Sequence, residues 1–305
     1  MNNNWTQRMA RGWNKLWFSP EPARNLAAAR IVFSAHALWI LMSRDLPAIS
    51  GLPHEFWIFV PRTALWRYLI FPGHPRGEEF LQGLAVLALL GALTGFYPRL
   101  SCLVSGLLLY HLAPLETIIW TTNPYVRGFT ITVLALVTLS FSPCGDAFCL
   151  FGRRRVGSKT NPSWVYSWPL RLIQVFLCQV YLFSGYVKLS SSGLAWISAD
   201  NLHNWLLYIS QVDQVSVYKS FGLWIADHPA VCLLVAVGTI ALELGFIAVI
   251  FWKGSRIWLI PLAILFHMGI LFSMNLTFLN LPQLLVFADW EALFTRLKLT
   301  QPAPI

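Results

Sequence analysis

Residues 229–274 read PAVCLLVAVGTIALELGFIAVIFWKGSRIWLIPLAILFHMGILFSM, and this stretch decides the fold class of the chain. It contains two apolar runs, 229–252 and 256–274, separated by a short turn that carries Lys253 and Arg256. A helix needs about 20 predominantly apolar residues to cross the hydrocarbon core of a bilayer. The stretch therefore predicts two membrane-spanning helices joined by a short basic loop.

The composition of the whole chain agrees with this prediction. Of its 305 residues, 56% are hydrophobic and 11% are charged, and it contains 15 Trp residues. A soluble domain would carry about a quarter charged residues, and tryptophan is enriched where a membrane meets water. The net charge of +9 resides in short segments between apolar runs. It therefore indicates membrane topology, and we expect surrounding lipid and no nucleic-acid partner.

Similar apolar runs recur along the chain and predict an all-α, polytopic membrane bundle of about eight transmembrane helices. The predicted spans are 26–43, 80–98, 100–119, 126–143, 168–188, 229–252, 256–274 and, with Pro282 inside it, 276–294. The stretch 56–71 contains Pro61, Arg62 and Arg67 and predicts an interfacial helix. The expected organisation is a basic N-terminal segment at 1–25, a transmembrane domain at 26–295 and a tail at 296–305.

The distribution of basic residues predicts the orientation. With the N-terminus inside and eight spans, thirteen of the 22 Lys and Arg residues fall on the inside: Arg8, Arg11, Lys15, Arg24, Arg99, Arg153, Arg154, Arg155, Lys159, Lys253, Arg256, Arg296 and Lys298. Seven fall outside, on long segments poor in Lys and Arg for their length. The positive-inside rule therefore predicts that both termini are cytoplasmic. The same arrangement places the segments 44–79 and 190–228 outside. The second segment is predicted to form an amphipathic cap over the outer face.

Ionisable side chains within the predicted spans are functional candidates, because each costs a few kcal/mol to insert into hydrocarbon. They are Arg30, His36, His111, Glu116, Arg127, Lys188, Glu243 and His267. Glu243 is predicted near the middle of its span, so we expect a cationic or hydrogen-bonding partner for it among Arg30, His36, His111 and His267.

Each candidate also has a purely structural interpretation. Arg30 and Arg127 would extend to headgroups or cap a neighbouring helix, and His36 and His111 would be hydrogen-bonded packing residues. Lys188 would be an interfacial anchor beside Trp196. One observation argues against the interpretation of Lys188 as an anchor. Its helical face also carries Tyr181, Ser184 and Gly185. A small, polar face predicts contact with a neighbouring helix or a cavity.

The cysteines do not predict a redox or metal site. Cys144 and Cys149 lie in FSPCGDAFCLFG, which is not a C-x-x-C motif, and are expected on the reducing cytoplasmic side. A thiol–disulfide function would need them on the opposite side of the membrane. No His is near them in sequence, so we expect no metal.

Four segments, read in order, carry a family resemblance. They are PEPARNLAAARIVFSAHALWILM at 20–42, WTTNPYVRG at 120–128 with SPCGD at 142–146, VYLFSGYVKL at 180–189, and ELGFIAVIF with FHMGILFSMNLTF at 243–278. Together they resemble the membrane domain of vitamin K-dependent gamma-carboxylase, that is, the horizontally transferred transmembrane (HTTM) family, which includes short bacterial members.

The resemblance implies a chemistry for two of these residues. The carboxylase uses the lysine of the third motif to deprotonate vitamin K hydroquinone, and Lys188 occupies that position. His267 matches the histidine of the family's FH motif. Asn123 stands where the carboxylase has a histidine, and no segment here resembles its large lumenal domain. We therefore do not expect carboxylation of clotting-type propeptides.

From the residues and the resemblance together, we expect a quinol-binding protein of a bacterial inner membrane that matures a secreted peptide. Its cavity would open outward. The catalytic residues would be Lys188 and His267, and the ligand-binding residues Glu243, Asn123, His111, Arg127 and Tyr181. The alternative is a non-catalytic membrane partner or a small-solute carrier that uses the same polar residues as a relay.

Overall fold

A computed structural model of the chain describes residues 3–53, 73–115, 130–150, 161–212, 219–276, 278 and 280–297. Every element longer than an isolated bridge in these residues is helical. The α-helices are α1 (Asn3–Phe18), α2 (Ala23–Met42), α3 (Leu46–Ser50), α4 (Pro75–Thr94), α5 (Pro98–Leu112), α6 (Thr130–Ser140), α7 (Trp164–Ser192), α8 (Ala199–Val212), α9 (Lys219–Ala226), α10 (Pro229–Gly245), α11 (Ala248–Phe251), α12 (Arg256–Met274) and α13 (Trp290–Arg296). Short 3-10 helices cover Gly193–Ile197, Lys253–Ser255 and Leu281–Phe287.

The chain divides into two compact units, and the division falls within α7. Unit 1 comprises Met1–Ile173 and Ala288–Ile305, and unit 2 comprises Gln174–Phe287. The predicted transmembrane domain at 26–295 thus contains parts of both units.

Unit 1 is built around α2, which packs against α4 and α6, while α5 packs against both α4 and α6. Small side chains on α2, including the buried Ala27 and Ala29, allow these helices to approach closely. Gly95 ends α4 with φ of 80°, and Pro98 begins α5 three residues later. A Cβ at position 95 would lie 2.5 Å from Sγ of Cys149, so only glycine fits this tight helical hairpin.

Arg30, on the buried side of α2, forms a clamp in unit 1 that joins two distant segments. Its guanidinium donates to the carbonyl oxygens of Ala92 and Leu93, in the last turn of α4. It also donates to three carbonyl oxygens of the segment that follows α6, those of Cys144, Ala147 and Phe148, at 3.0, 3.3 and 2.7 Å. The last carbonyls of a helix have no partner within it. The capping role considered for Arg30 is therefore confirmed.

The linker between α1 and α2 is fastened to the start of α7 within unit 1. Glu21 and Ser163 pair as an antiparallel bridge through N–H···O bonds of 3.3 and 3.0 Å. The buried Glu21 carboxylate also accepts a 2.9 Å hydrogen bond from Arg171. A buried carboxylate needs such a partner, so this ion pair fixes where the first residues of α2 and α7 meet.

Unit 2 contains the second half of α7, with α8, α9, α10 and α12. Leu206 of α8, Ile225 and Ala226 of α9 and Cys232 of α10 form one of its buried clusters. Trp205 and Tyr208 lie on the exposed side of α8. The predicted cap at 190–228 thus contains an amphipathic helix, α8, and its location outside the membrane stays a prediction.

Several of the described helices are long and apolar enough to cross a membrane. Four pass on length and composition: α2, α4, α7 extended to Ile197, and Lys253–Met274. A fifth candidate span would consist of Ser220–Ala226 and Pro229–Gly245, which are bent by 98° relative to each other. The helix α6 is apolar but shorter. Within the described parts of the predicted spans 100–119 and 126–143, α5 continues to Leu112 and α6 covers Thr130–Ser140. The predicted interfacial helix at 56–71 lies outside the described residues.

Two predicted spans differ from the structure. The segment 276–294 is not one continuous helix, because it contains the 3-10 helix Leu281–Phe287 and then α13, which the Asp289 side chain caps by accepting from Ala292 N–H at 3.2 Å. The segment 229–252 is interrupted at Phe246 and Ile247, after which α11 begins. Glu243 consequently lies in the last turn of α10, three residues before this irregular turn, and its depth in a membrane stays a prediction.

The predicted orientation leads to a labelling experiment. Gly157→Cys, in the basic 153–159 segment, should be protected from an impermeant thiol reagent added outside intact cells, whereas Gln211→Cys should react. Gln211 is exposed on α8, and most native cysteines are buried, so the parent chain measures the background. Reaction at position 157 with protection at 211 would reverse the orientation given by the basic residues.

Candidate functional site

Unit 2 contains an ion pair between α7 and α10. Nζ of Lys188 donates a short hydrogen bond to Oε1 of Glu243. Ser184, one turn before Lys188, accepts from the same Nζ at 3.1 Å and donates to the same carboxylate oxygen at 3.0 Å. A hydroxyl can donate and accept at once, so the three groups form a closed network. We call these residues the Lys188 network.

The two charges of the Lys188 network differ in accessibility. The Glu243 side chain is 5% exposed, while that of Lys188 is 25% exposed. Nζ of Lys188 also lies 5.1 Å from the ring centroid of Trp196, within cation–π range. The carboxylate is thus enclosed by protein, and the lysine is the member of the pair that a ligand can reach.

Close approach of α7 and α10 makes this contact possible. A Cβ at Gly185 would lie 2.9 Å from Cδ2 of Leu244 and 3.1 Å from Cβ of Glu243. A side chain at position 185 would therefore push against α10, and glycine allows the closest approach of the two helices. The predicted stripe of Tyr181, Ser184, Gly185 and Lys188 does face a neighbouring helix, which confirms the prediction made from its small and polar character.

Gly185→Val is expected to separate α7 from α10 and to lower the unfolding free energy of the protein by about 1–3 kcal/mol through overpacking. The matched control is Gly238→Val on α10, where an added Cβ meets no atom within 4 Å. Thermal unfolding in detergent measures both. Equal midpoints for the two variants would contradict the close helix contact.

A second group of side chains in unit 2 surrounds Tyr181. Its hydroxyl lies 2.9 Å from Nε2 of His267 on α12, and its ring stacks on Phe246 with centroids 4.1 Å apart. The His267 ring is also 4.4 Å from that of Phe278. This aromatic group adjoins the Lys188 network in sequence, because Tyr181 lies one turn before Ser184 and Phe246 follows Glu243 by three residues.

Two polar atoms of these groups keep unused hydrogen-bonding capacity. Oε2 of Glu243 and Nδ1 of His267 are buried and have no hydrogen-bond partner among the residues that the structure describes. Most buried polar atoms are paired, so each such atom needs an explanation. A carboxylate oxygen that is still free to accept a proton fits a role in proton transfer.

The structure gives Glu243 a partner, as predicted, but a different one. Lys188 and Ser184 fill the role for which Arg30, His36, His111 and His267 were the candidates. The prediction missed Lys188 because it placed this residue at the outer limit of the span 168–188. In the structure α7 continues to Ser192, so Lys188 lies one turn before the end of the helix.

Of the remaining predicted ligand-binding residues, the structure describes only His111. His111 belongs to unit 1, where Nε2 lies 3.0 and 3.1 Å from the two carboxylate oxygens of Glu78. Glu78 is buried and also accepts from Gly73 N–H at 2.7 Å. The sequence prediction missed Glu78 because the span 80–98 began two residues after it. Asn123, Arg127 and Glu116 lie outside the described residues.

Cys144 and Cys149 occupy the segment held by Arg30. Cys144 is buried, and Sγ of Cys149 donates to the carbonyl oxygen of Gly145 at 2.9 Å. Both are free thiols. Cys144 and Cys149 therefore lie in a packed turn that follows α6.

The comparison with known families covers most of the chain. Residues 18–290 match the model of the HTTM domain. No curated protein and no solved structure matches the chain. The match includes α2 through the start of α13, and with them both the Lys188 network and the Tyr181–His267 pair. The chain therefore belongs to the HTTM domain family, a family of membrane proteins related to the gamma-carboxylase.

Proposed function

We propose that the protein binds an isoprenoid quinol, or an amphiphile with a similar phenolic head, at the Lys188 network, and that Lys188 removes a proton from its hydroxyl group. The observation that carries this proposal is the direct contact of an accessible lysine with a buried carboxylate. In hydrocarbon surroundings such a pair is costly and is usually functional. The resemblance of VYLFSGYVKL to the carboxylase motif supports the same role.

The contacts suggest how the proton would move. When the Lys188 ammonium passes its proton to Glu243, a neutral amine and a carboxylic acid remain, and the amine can accept the proton of a phenol. The products are a phenolate, a lysine ammonium and a protonated Glu243, so the proton lost by the phenol is the one gained by the Lys188–Glu243 pair, and the net charge is unchanged. Ser184 keeps the two groups aligned throughout, because it bonds to both of them.

The surroundings suit the rest of such a ligand. Trp196 lies beside the Lys188 ammonium, Tyr181 and Phe278 place aromatic rings against His267, and Phe246 stacks on Tyr181. Aromatic walls with a few polar groups are typical of sites for apolar ligands with one polar end. We propose that the ionised quinol supports modification of a secreted peptide at a bacterial inner membrane, as the family resemblance implies.

Identification of the bound lipid tests the proposal. The full chain is purified in mild detergent, and its lipids are extracted and analysed by mass spectrometry. We expect a quinone near one equivalent in the parent protein, and its loss in the double variant Lys188→Met/Glu243→Gln, which removes both charges together. The matched control is Lys253→Met, an exposed lysine of unit 2, which should retain the quinone.

A different result would favour the other class of function. A quinone-free protein that co-purifies with a stable partner, or that transports a small solute in vesicles, would contradict quinol binding. The Lys188 network would then act as a relay in a partner protein or a carrier.

A further inference from the structure

The N-terminal helix α1 has two chemically distinct faces. Trp5, Met9 and Trp13 follow one another at intervals of four residues and are 68%, 55% and 60% exposed. Residues spaced in this way lie on one side of a helix. Arg8, Arg11 and Lys15 share another side and are also exposed. An exposed, strongly aromatic stripe opposite a basic stripe is typical of helices that lie in a membrane interface.

The helix α1 itself contains no acidic residue. The first acid of the sequence is Glu21, and its carboxylate is already engaged by Arg171. The three cations of α1 therefore have no opposite charge on their own helix, and no ion pair joins them to another residue that the structure describes. This charge complements a surface of anionic lipids.

The position of α1 within unit 1 gives its aromatic side a specific neighbourhood. Trp13, Trp17 and Phe18 line a cleft together with Trp164 and Trp168 of α7, and the rings of Phe18 and Trp164 are 6.0 Å apart. The hydroxyl of Ser167 donates to the carbonyl oxygen of Ser19. The tryptophans of α1 thus join those at the start of a candidate span, and clustered tryptophans mark the headgroup level of a bilayer.

The connection to α2 keeps α1 at that level. Only residues 19–22 separate α1 from α2, another candidate span. Four extended residues reach at most about 14 Å. The end of α1 therefore stays close to the point where α2 enters the membrane, within reach of lipid headgroups.

We infer that α1 lies on the membrane surface and binds anionic phospholipid, with Trp5, Met9 and Trp13 inserted in the interface and Arg8, Arg11 and Lys15 contacting headgroup phosphates. Each basic residue near an anionic surface strengthens such binding by about fivefold, so the three together contribute about a hundredfold. This inference does not depend on the proposed quinol chemistry.

The test places an environment-sensitive dye on each side of α1 in the full chain. Met9→Cys labels the aromatic side, and Asn14→Cys is the matched control on the opposite side. Both proteins are reconstituted in vesicles of phosphatidylcholine alone or mixed with phosphatidylglycerol, with nitroxide-labelled lipids as quenchers. In the anionic vesicles, the dye at position 9 should be quenched several-fold more strongly than the dye at position 14, following the burial of one face.

The dependence on charge completes the test. The excess quenching at position 9 should fall in neutral vesicles and at high salt, because salt screens attraction to lipid phosphates. The combined variant Arg8→Gln, Arg11→Gln, Lys15→Gln should show the same loss in anionic vesicles. Equal quenching at positions 9 and 14 would overturn the inference. So would quenching that does not change with lipid charge or salt in the protein with its basic residues intact.

Discussion

Lys188→Arg is expected to leave the protein folded and inserted but to lower quinol turnover by about 10² to 10⁴-fold, the usual contribution of a general base. Arginine can still donate to Glu243 and Ser184, so the contact between α7 and α10 is preserved. A guanidinium keeps its proton near neutral pH and cannot act as a base. The measurement is oxygen-dependent oxidation of a reduced isoprenoid quinone by the purified protein in vesicles.

Lys253→Arg provides the matched control for this experiment, because Lys253 is exposed and lies outside the Lys188 network. It should retain full turnover. If Lys188→Arg oxidised the quinol at the parent rate, Lys188 would be an anchor or a structural partner of Glu243. The membership of the HTTM domain family would be unaffected.

Arg30→Lys is expected to destabilise unit 1 by about 3 kcal/mol or more, since a buried carbonyl left without a donor costs about 1–3 kcal/mol. Arg30 is fully buried and reaches five carbonyl oxygens in two segments. A lysine ammonium has three donors at a single point and cannot replace a planar fork. Thermal unfolding in detergent should show the loss.

Arg24→Lys is the control for the clamp, because Arg24 pairs with Glu291 at 2.9 Å and both side chains are about one-third exposed. Exposed ion pairs contribute at most about 1 kcal/mol. Similar unfolding midpoints for the two variants would show that Arg30 does not hold the two segments together.

The sequence predicted the helical content and most of the apolar helices, because long apolar runs have few other stable solutions. It also predicted the face of α7 that carries Lys188, since helical spacing alone places Tyr181, Ser184 and Gly185 beside it. These features depend on residues that are close in sequence, and the structure confirms them.

The features that the sequence did not predict depend on where helices end. Residues 276–294 were expected to form one span, but a polar Asp289 begins a separate helix, α13. Glu243 was assigned to the middle of a span that is interrupted at Phe246. Its pairing with Lys188, 55 residues away, follows from the close packing at Gly185. Such contacts between distant residues leave no periodic signal in the sequence.

The Arg30 clamp also constrains how the protein is made. Its partner carbonyls lie 62 to 118 residues further along the chain. When α2 leaves the ribosome, none of them has been synthesised, so the Arg30 guanidinium lacks all five of its final partners at that stage. The first candidate span therefore reaches its final environment only after synthesis has passed Phe148. The surroundings of Arg30 are therefore completed only when α2, α4 and the segment after α6 have all been made, so these parts of unit 1 must assemble together.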